Sequence, residues 1–360
     1  MVACDSQFRL PSMARLRRSR FTAEVNRVFP SNPRMIAILA LTFSLAVPAA
    51  NAQKMYWPDV STGKIQRANL DGSDVEDVVT GLNAPFGVAL DVPGGKVYWP
   101  VATSSGKIQR ANLDGSNVED LVTELIVPFG IALDVPGGKM YWPIVAVSAK
   151  LQSGKIQRAN LDGSNVEDLV TGLGDPYDVA LDLAGGKMYW VAGSTGKIQR
   201  ADLNGSNVED LLTGLGVPIG IALDVPGGKM YWTSGGVFGI HRVNLDGSGV
   251  VEDLVEGLLR PMDVALDVGG GKMYWPDTNT DKIQRADLDG TNVEDLVTGV
   301  TGLAGITLDL STPPENIPTV SGWSLVAMML LVLVAGTVIF ARQLPGIRGV
   351  KTRWGEMLDA

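Results

Sequence analysis

The dipeptide Tyr-Trp recurs six times, at Tyr56-Trp57, Tyr98-Trp99, Tyr141-Trp142, Tyr189-Trp190, Tyr231-Trp232 and Tyr274-Trp275, with successive tryptophans 42, 43, 48, 42 and 43 residues apart. A chain that returns to one motif at so steady an interval is built from one supersecondary unit packed on copies of itself. Around each dipeptide stands the same text, complete from Pro128 onward: P-F-G-I-A-L-D, V-P-G-G, K-M-Y-W, a variable stretch, G-K-I-Q-R-A-N-L, D-G-S, N-V-E-D-L-V. Its apolar runs are of strand length and are punctuated by Gly-Gly and Asp-Gly, the marks of tight hairpins. The glycines and the shortness of the runs exclude helix. Each unit therefore reads as four strands, a to d.

A lone four-stranded sheet cannot bury both of its faces, whereas a ring of such sheets can. The expected fold is all-β, a six-bladed β-propeller over residues 53–311. The chain opens in strand b at Lys54, with no strand a before it, and closes on a spare strand a at Gly305-Ile306-Thr307-Leu308-Asp309. We therefore expect a first blade made of residues 54–80 and closed by a C-terminal strand, residues 305–310. Pro58, Pro100, Pro143 and Pro276 directly follow the tryptophan in four copies. Proline gives no N–H to a ladder, so strand b is expected to end at tryptophan there.

The flanks differ in kind from the ring. Residues 1–52 hold seven Arg and two acids, whereas 53–316 hold 19 Lys and Arg against 35 Asp and Glu, so the net charge of −9 hides an acidic body. That sign argues against nucleic acid as a partner. The uncharged run from Ile36 to Pro48 ends in Ala50-Asn51-Ala52, which reads as a signal peptide cut before Gln53. Residues 1–34 are long for its leading region, and Met13 is an alternative start. Residues 312–321 read as a linker and 322–341 as a transmembrane helix, since the charge-free run from Trp323 to Ala341 would span roughly 28 Å. The basic tail, 342–360, is then cytoplasmic and the ring outside. The only cysteine is Cys4, so the exported ring can form neither a disulfide nor a thiolate metal site.

The ordered text K-M-Y-W, K-I-Q-R-A-N-L-D-G-S and P-F-G-I-A-L-D, present throughout residues 54–310, resembles the YWTD repeat, or low-density lipoprotein receptor class B repeat. The resemblance implies a six-bladed propeller, a non-enzymatic role and protein ligands. The chain departs from it after Tyr-Trp, where Asp stands only at Asp59 and Asp277 and Thr only at Thr233. A second resemblance lies in Ile317, Pro318, Thr319 and Trp323, followed by the apolar span and Arg342. These are similar to the IPTL-CTERM sorting tail of bacterial envelope proteins. It implies a transient anchor cut by an exosortase-type enzyme, with the ring released to the cell surface or matrix; a permanent anchor is the alternative.

Six arginines, Arg67, Arg110, Arg158, Arg200, Arg242 and Arg285, and six aspartates, Asp91, Asp134, Asp182, Asp224, Asp267 and Asp309, recur one per blade. Residues needed in every blade serve packing, so they are expected to form structural ion pairs, each arginine meeting a carboxylate or carbonyl between blades. The D-G-S turns are no calcium loops, because an arginine occupies the first ligand position and Val78 the twelfth in the first copy. His241 stands where other copies have Gln66, Gln109, Gln157, Gln199 and Gln284, a substitution at a structural position. No catalytic set, resident metal or cofactor is expected.

The copies differ along one face. Strand direction alternates, so the d–a and b–c loops share a face, and they vary, whereas the a–b and c–d turns scarcely do. The third blade adds about five residues within Ile144 to Gln152. Loop variation on a repeated scaffold marks a recognition surface, and Phe86, Phe129, Tyr177, Ile219 and Met262 are expected to ring its inner rim as an apolar collar. Asp178 and Asp263 sit beside that collar. Propellers similar to gluconolactonases hold a metal in the central channel with acids and Asn, and these two aspartates are the only candidates for such a site. The expectation is an exported, surface-displayed binding protein or scaffold for a protein or glycan; the alternatives are a metal-dependent lactonase-like hydrolase and a purely structural envelope component.

Overall fold

Side chains along a strand point to alternate faces, so in K-M-Y-W the methionine and tryptophan leave one face of the sheet and the tyrosine the other. Both faces are therefore apolar, and each needs a neighbour. The computed structural model, which describes residues 53–146, 153–236 and 238–311, meets that demand with six four-stranded antiparallel sheets. The expected signal peptide, sorting motif, membrane helix and basic tail lie outside the described residues, as does most of the third-blade insertion.

The first blade contains β1 (Lys54–Asp59), β2 (Lys64–Asn69) and β3 (Glu76–Thr80), and the second β4 (Ala89–Asp91), β5 (Lys96–Val101), β6 (Gly106–Asn112) and β7 (Glu119–Leu125). The third is β8 (Ala132–Asp134), β9 (Lys139–Ile144), β10 (Gly154–Asn160) and β11 (Glu167–Leu173), and the fourth β12 (Pro176–Asp182), β13 (Lys187–Ala192), β14 (Lys197–Asp202) and β15 (Glu209–Leu212). The fifth is β16 (Pro218–Asp224), β17 (Lys229–Ser234), β18 (Gly239–Asn244) and β19 (Glu252–Val255), and the sixth β20 (Ala265–Asp267), β21 (Lys272–Asp277), β22 (Lys282–Asp287) and β23 (Glu294–Thr298). β24 (Thr307–Asp309) completes the first sheet, in the order β24-β1-β2-β3. The inner strands β24, β4, β8, β12, β16 and β20 touch in sequence and return to β24, which closes the ring.

Between blades lie the cores. Tyr56 of the first blade packs on Val97 and Trp99 of the second, Tyr98 on Met140 and Trp142 of the third, and Tyr274 of the sixth on Met55 and Trp57 of the first. The six tryptophans of the repeat are at most 2% exposed. A buried indole N–H needs an acceptor. Gln66, Gln109, Gln157, Gln199 and Gln284 supply it at 3.0–3.2 Å, and each donates in turn to an aspartate of strand d at 2.7–2.8 Å. His241 takes over that outward link, its Nδ1 lying 2.7 Å from Asp253.

The clasp forms where the repeat predicts it. Lys54, Met55 and Tyr56 pair with Asp309, Leu308 and Thr307. Val60 N–H donates to Gly302 at 2.9 Å and the Gln53 amide to Leu310 at 3.2 Å.

Two expectations need correction. The prolines do not end strand b: β1, β5, β9 and β21 run through Pro58, Pro100, Pro143 and Pro276, which pair with Ile65, Ile108, Ile156 and Ile283 of strand c. The loss falls on the opposite ladder. Inner strands facing a proline, β4, β8, β20 and β24, have three residues, whereas β12 and β16, facing Val191 and Thr233, have seven. A residue's N–H and C=O point to the same side of an antiparallel strand, and the carbonyls of Pro100, Pro143 and Pro276 accept from Phe86, Phe129 and Met262, which lead into strand a. The missing proline N–H therefore faces strand a alone.

The arginine and aspartate series, moreover, do not pair with each other. Arg67, Arg110, Arg158, Arg200, Arg242 and Arg285 reach glutamates of strand d, at 2.5–2.6 Å, and sit over the ring of their own blade's tyrosine at 5.6–5.8 Å. Five also donate to a leucine carbonyl of the next blade, at 2.8–3.0 Å. Asp91, Asp134, Asp182, Asp224 and Asp267 instead cap the a–b turns, accepting from the glycine N–H three residues on, and Asp309 accepts from Ser311. Each aspartate is the last residue of its strand a, so its carboxylate is taken up by the turn or chain segment that follows it. Arg110→Lys, which keeps charge but loses the planar fork, should lower stability by about 1–3 kcal/mol. Urea unfolding checks it, and an unchanged midpoint would show that the fork contributes nothing.

Candidate functional site

The d–a loops lead into the inner strands at the top of the ring, and each loop delivers one side chain to the channel mouth. Phe86, Phe129, Tyr177, Ile219, Met262 and Ala304 come together there around one recess. The aromatic half is contiguous: the Phe86 and Phe129 ring centroids are 4.1 Å apart and those of Phe129 and Tyr177 5.5 Å. Ala304, the sixth member, was not evident from sequence, because the clasp repeat lacks the Pro-aromatic text. Met262 is buried at 9% exposure and so forms the wall of the recess rather than its lip.

A wider cavity of about 380 Å³ opens over the collar. Val217, Phe238, Leu259, Arg260 and Asn279 of the fourth, fifth and sixth blades extend its lining. Sequence reasoning missed these residues because their positions hold unrelated residue types in the other copies, so the repeat carries no shared signal there. Phe238, 46% exposed, and Leu259, 53% exposed, carried the one available signal, apolar residues in otherwise polar loops. Glycines make the fit. A Cβ on Gly193 would lie 2.1 Å from the Tyr177 ring and one on Gly235 2.8 Å from Ile219, so both loops must lack a side chain there.

Below the collar, the inner ring is sewn together in two ways. Where the residue after the collar is glycine, backbones touch directly: Gly87 N–H donates to Phe129, Gly130 to Tyr177 and Gly305 to Phe86, at 2.9–3.1 Å. A Cβ on Gly87 would lie 2.8 Å from the Phe129 oxygen. In the fourth and sixth blades the position is aspartate, and its carboxylate makes the link. Asp178 Oδ2 accepts from Ile221 N–H of the fifth blade at 3.0 Å, and Asp263 Oδ2 accepts from Ile306 N–H of the clasp at 2.9 Å. Asp263 Oδ1 also takes the Val264 N–H, at 2.7 Å.

Both carboxylates border the same small recess, of about 30 Å³. Burial pushes the Asp178 carboxyl up to about 6. Burial, and then the charge of Asp178, hold Asp263 well above the usual carboxylate range. Perturbed acids of this kind gather at functional sites. Among the described residues no three His, Cys, Asp or Glu side chains converge as metal ligands do. Asp178 and Asp263 each accept a backbone N–H of the next blade, which ties them into ring closure.

Similar proteins bear on this geometry. The family described as low-density lipoprotein receptor repeat class B matches residues 53–92 and 186–225. Nidogen of Drosophila melanogaster is 32% identical over 69 residues, which cover 19% of this chain and 5% of that protein. Among solved structures, a chain from the crystal structure of a nidogen/laminin complex matches with a TM-score of 0.66 at 26% identity, over 72% of this chain and all of that one. TolB from Acinetobacter baumannii (TM-score 0.57, 14% identity, 76% of this chain and 71% of that one) shares the fold alone. So does virginiamycin B lyase from Staphylococcus aureus (0.53, 15%, 70% and 84%), so the architecture by itself is compatible with enzymes too. The ring is a six-bladed propeller, with residues 53–92 and 186–225 matching the class B repeat, and its fold is similar to a chain of the nidogen/laminin complex.

Proposed function

We propose that this protein is a non-catalytic binding propeller that takes a protein ligand on the face of its d–a and b–c loops, with Phe86, Phe129 and Tyr177 as anchors. The observation that carries this reading is the collar itself: a contiguous aromatic half-ring under a cavity of about 380 Å³, on the face whose loops vary. Buried aromatic clusters at the centre of a concave surface are where binding energy concentrates. The similarity to a propeller solved in a nidogen/laminin complex supports a protein as the ligand class. Because Lys54 pairs with Asp309, the chain enters and leaves the ring on the opposite face, so a tether at either end presents the collar outward. Export by the N-terminal signal, and display through the C-terminal anchor or sorting tail, belong to the same proposal.

Immobilised laminin and a glycan array serve as probes. Phe129→Ala should weaken binding at least tenfold, which is about 1.4 kcal/mol, while Asp71→Ala on the opposite face leaves it unchanged. Equal loss in both variants, or none in Phe129→Ala, would refute the collar as the site.

A further inference from the structure

The two aspartates are an anomaly in a ring otherwise closed by glycine. Gly87, Gly130 and Gly305 make this junction through backbone alone, and Gly220 of the fifth blade turns its N–H to Thr233 of its own blade. The fourth and sixth place half-buried carboxylates there, both bordering one recess, at the energetic disadvantage of bringing two like charges together. Above them stand three aromatic rings, whose faces attract cations. Resting on the proposed binding role of this face, we propose that the collar receives a lysine presented on a loop of the partner protein. Its alkyl stem lies along Phe86, Phe129 and Tyr177, and its ammonium reaches Asp178 and Asp263.

Size and charge favour this occupant. The recess between the carboxylates, about 30 Å³, has room for about one water-sized group, and an ammonium is of that size. Each carboxylate has about four acceptor sites, and the bonds to Ile221, Ile306 and Val264 leave several for an ammonium's three donors. The wider cavity above takes the stem and the loop backbone. Arg260, the one basic residue among its described lining residues, is exposed, and the two carboxylates of the recess outnumber its charge. The surplus of acids over bases in residues 53–316, 35 against 19, adds a long-range field that steers basic loops toward the ring.

The N–H groups of Ile221 and Ile306 donate to the two carboxylates, so their amide resonances report on the recess directly. The full chain, labelled with ¹⁵N and ²H, is titrated with Nα-acetyl-lysine amide and, separately, with the nearly isosteric, uncharged Nα-acetyl-norleucine amide. The lysine probe should shift both resonances saturably and bind at least tenfold more tightly than the norleucine probe. In Asp178→Asn/Asp263→Asn, where an amide oxygen still accepts both N–H groups, that preference should vanish. Equal affinity of the two probes would overturn the lysine assignment and leave the apolar collar standing. Absence of binding by either would overturn both. A preference that survives in the double variant would place the cation elsewhere and also defeat the proposal. If the double variant fails to fold, the two-probe comparison on the wild-type chain decides alone.

Discussion

Ile306→Asp should lower the melting temperature by about 10 °C or more, or prevent folding, because it places an unpaired charge in the seam where the ring closes. Ile306 is 4% exposed and packs with Met55, Trp57, Tyr274 and Ile283. Introducing a charge there carries a penalty of about 3–5 kcal/mol, and each kcal/mol moves the transition of a domain this size by about 2–4 °C. No covalent link shares the load, since the sole cysteine, Cys4, lies outside the ring. The clasp joins residues about 250 positions apart, so closure must offset a substantial loop entropy with strand pairing and packing alone. Calorimetry of the variant beside Val75→Asp, a substitution at an exposed turn, checks the claim. If both variants melt together with the wild type, the clasp does not govern stability.

Asp178→Asn should raise stability, by on the order of 1–3 kcal/mol at pH 8, and should leave it nearly unchanged at about pH 3, below both the folded and unfolded values. The folded carboxyl, pushed up to about 6, holds its proton more firmly than the same group in the unfolded chain, at about 3.9. The native state thus binds more protons between those values, and stability falls as pH rises through them. Below pH 4 the sign reverses for the rest of the molecule. Carboxylates such as Asp202, held at about 2 by Lys187 and its turn partners, then lose their ion pairs. Asparagine keeps the acceptor for Ile221 N–H and removes the charge, so the variant should lose the slope between pH 4 and 7. Thermal melts at half-unit pH steps measure it, and a parallel curve for wild type and variant would show that Asp178 carries no buried charge. A group that destabilises its own fold yet occupies the floor of the collar is the residue one expects ligand binding to use.

The blade count, the strand order and the clasp were legible because each follows from the repeat. Six Tyr-Trp copies with a missing first strand and a surplus last one admit only one closed pairing. The collar was legible in part: Phe86, Phe129, Tyr177, Ile219 and Met262 occupy one register position, so finding one places all five. Ala304, Phe238, Leu259, Arg260 and Asn279 were not, since they come from the clasp or from loop positions where each copy carries a different residue type. The assignment of prolines as strand ends failed for a geometric reason. A strand has two edges, and sequence shows that an N–H is missing but not which neighbour misses it.

Periodicity is a local property written along the chain, so the sequence by itself determined the ring: how many blades, which faces are apolar and where the ends meet. Only the tertiary structure decided what the ring's charged residues do. Arg110 could in principle have met Asp91 or Glu119, and Asp178 could have faced solvent, a metal or its neighbour blade. Those choices depend on distances of a few ångströms, between strands of one blade for Arg110 and Glu119 and between segments 43 residues apart for Asp178 and Ile221. In the folded ring the arginines turned outward to strand d and the next blade's carbonyls, while Asp178 and Asp263 turned inward to a shared recess under three aromatic rings. Coulomb interactions and hydrogen bonds act over just those distances, and a repeat pattern cannot resolve them.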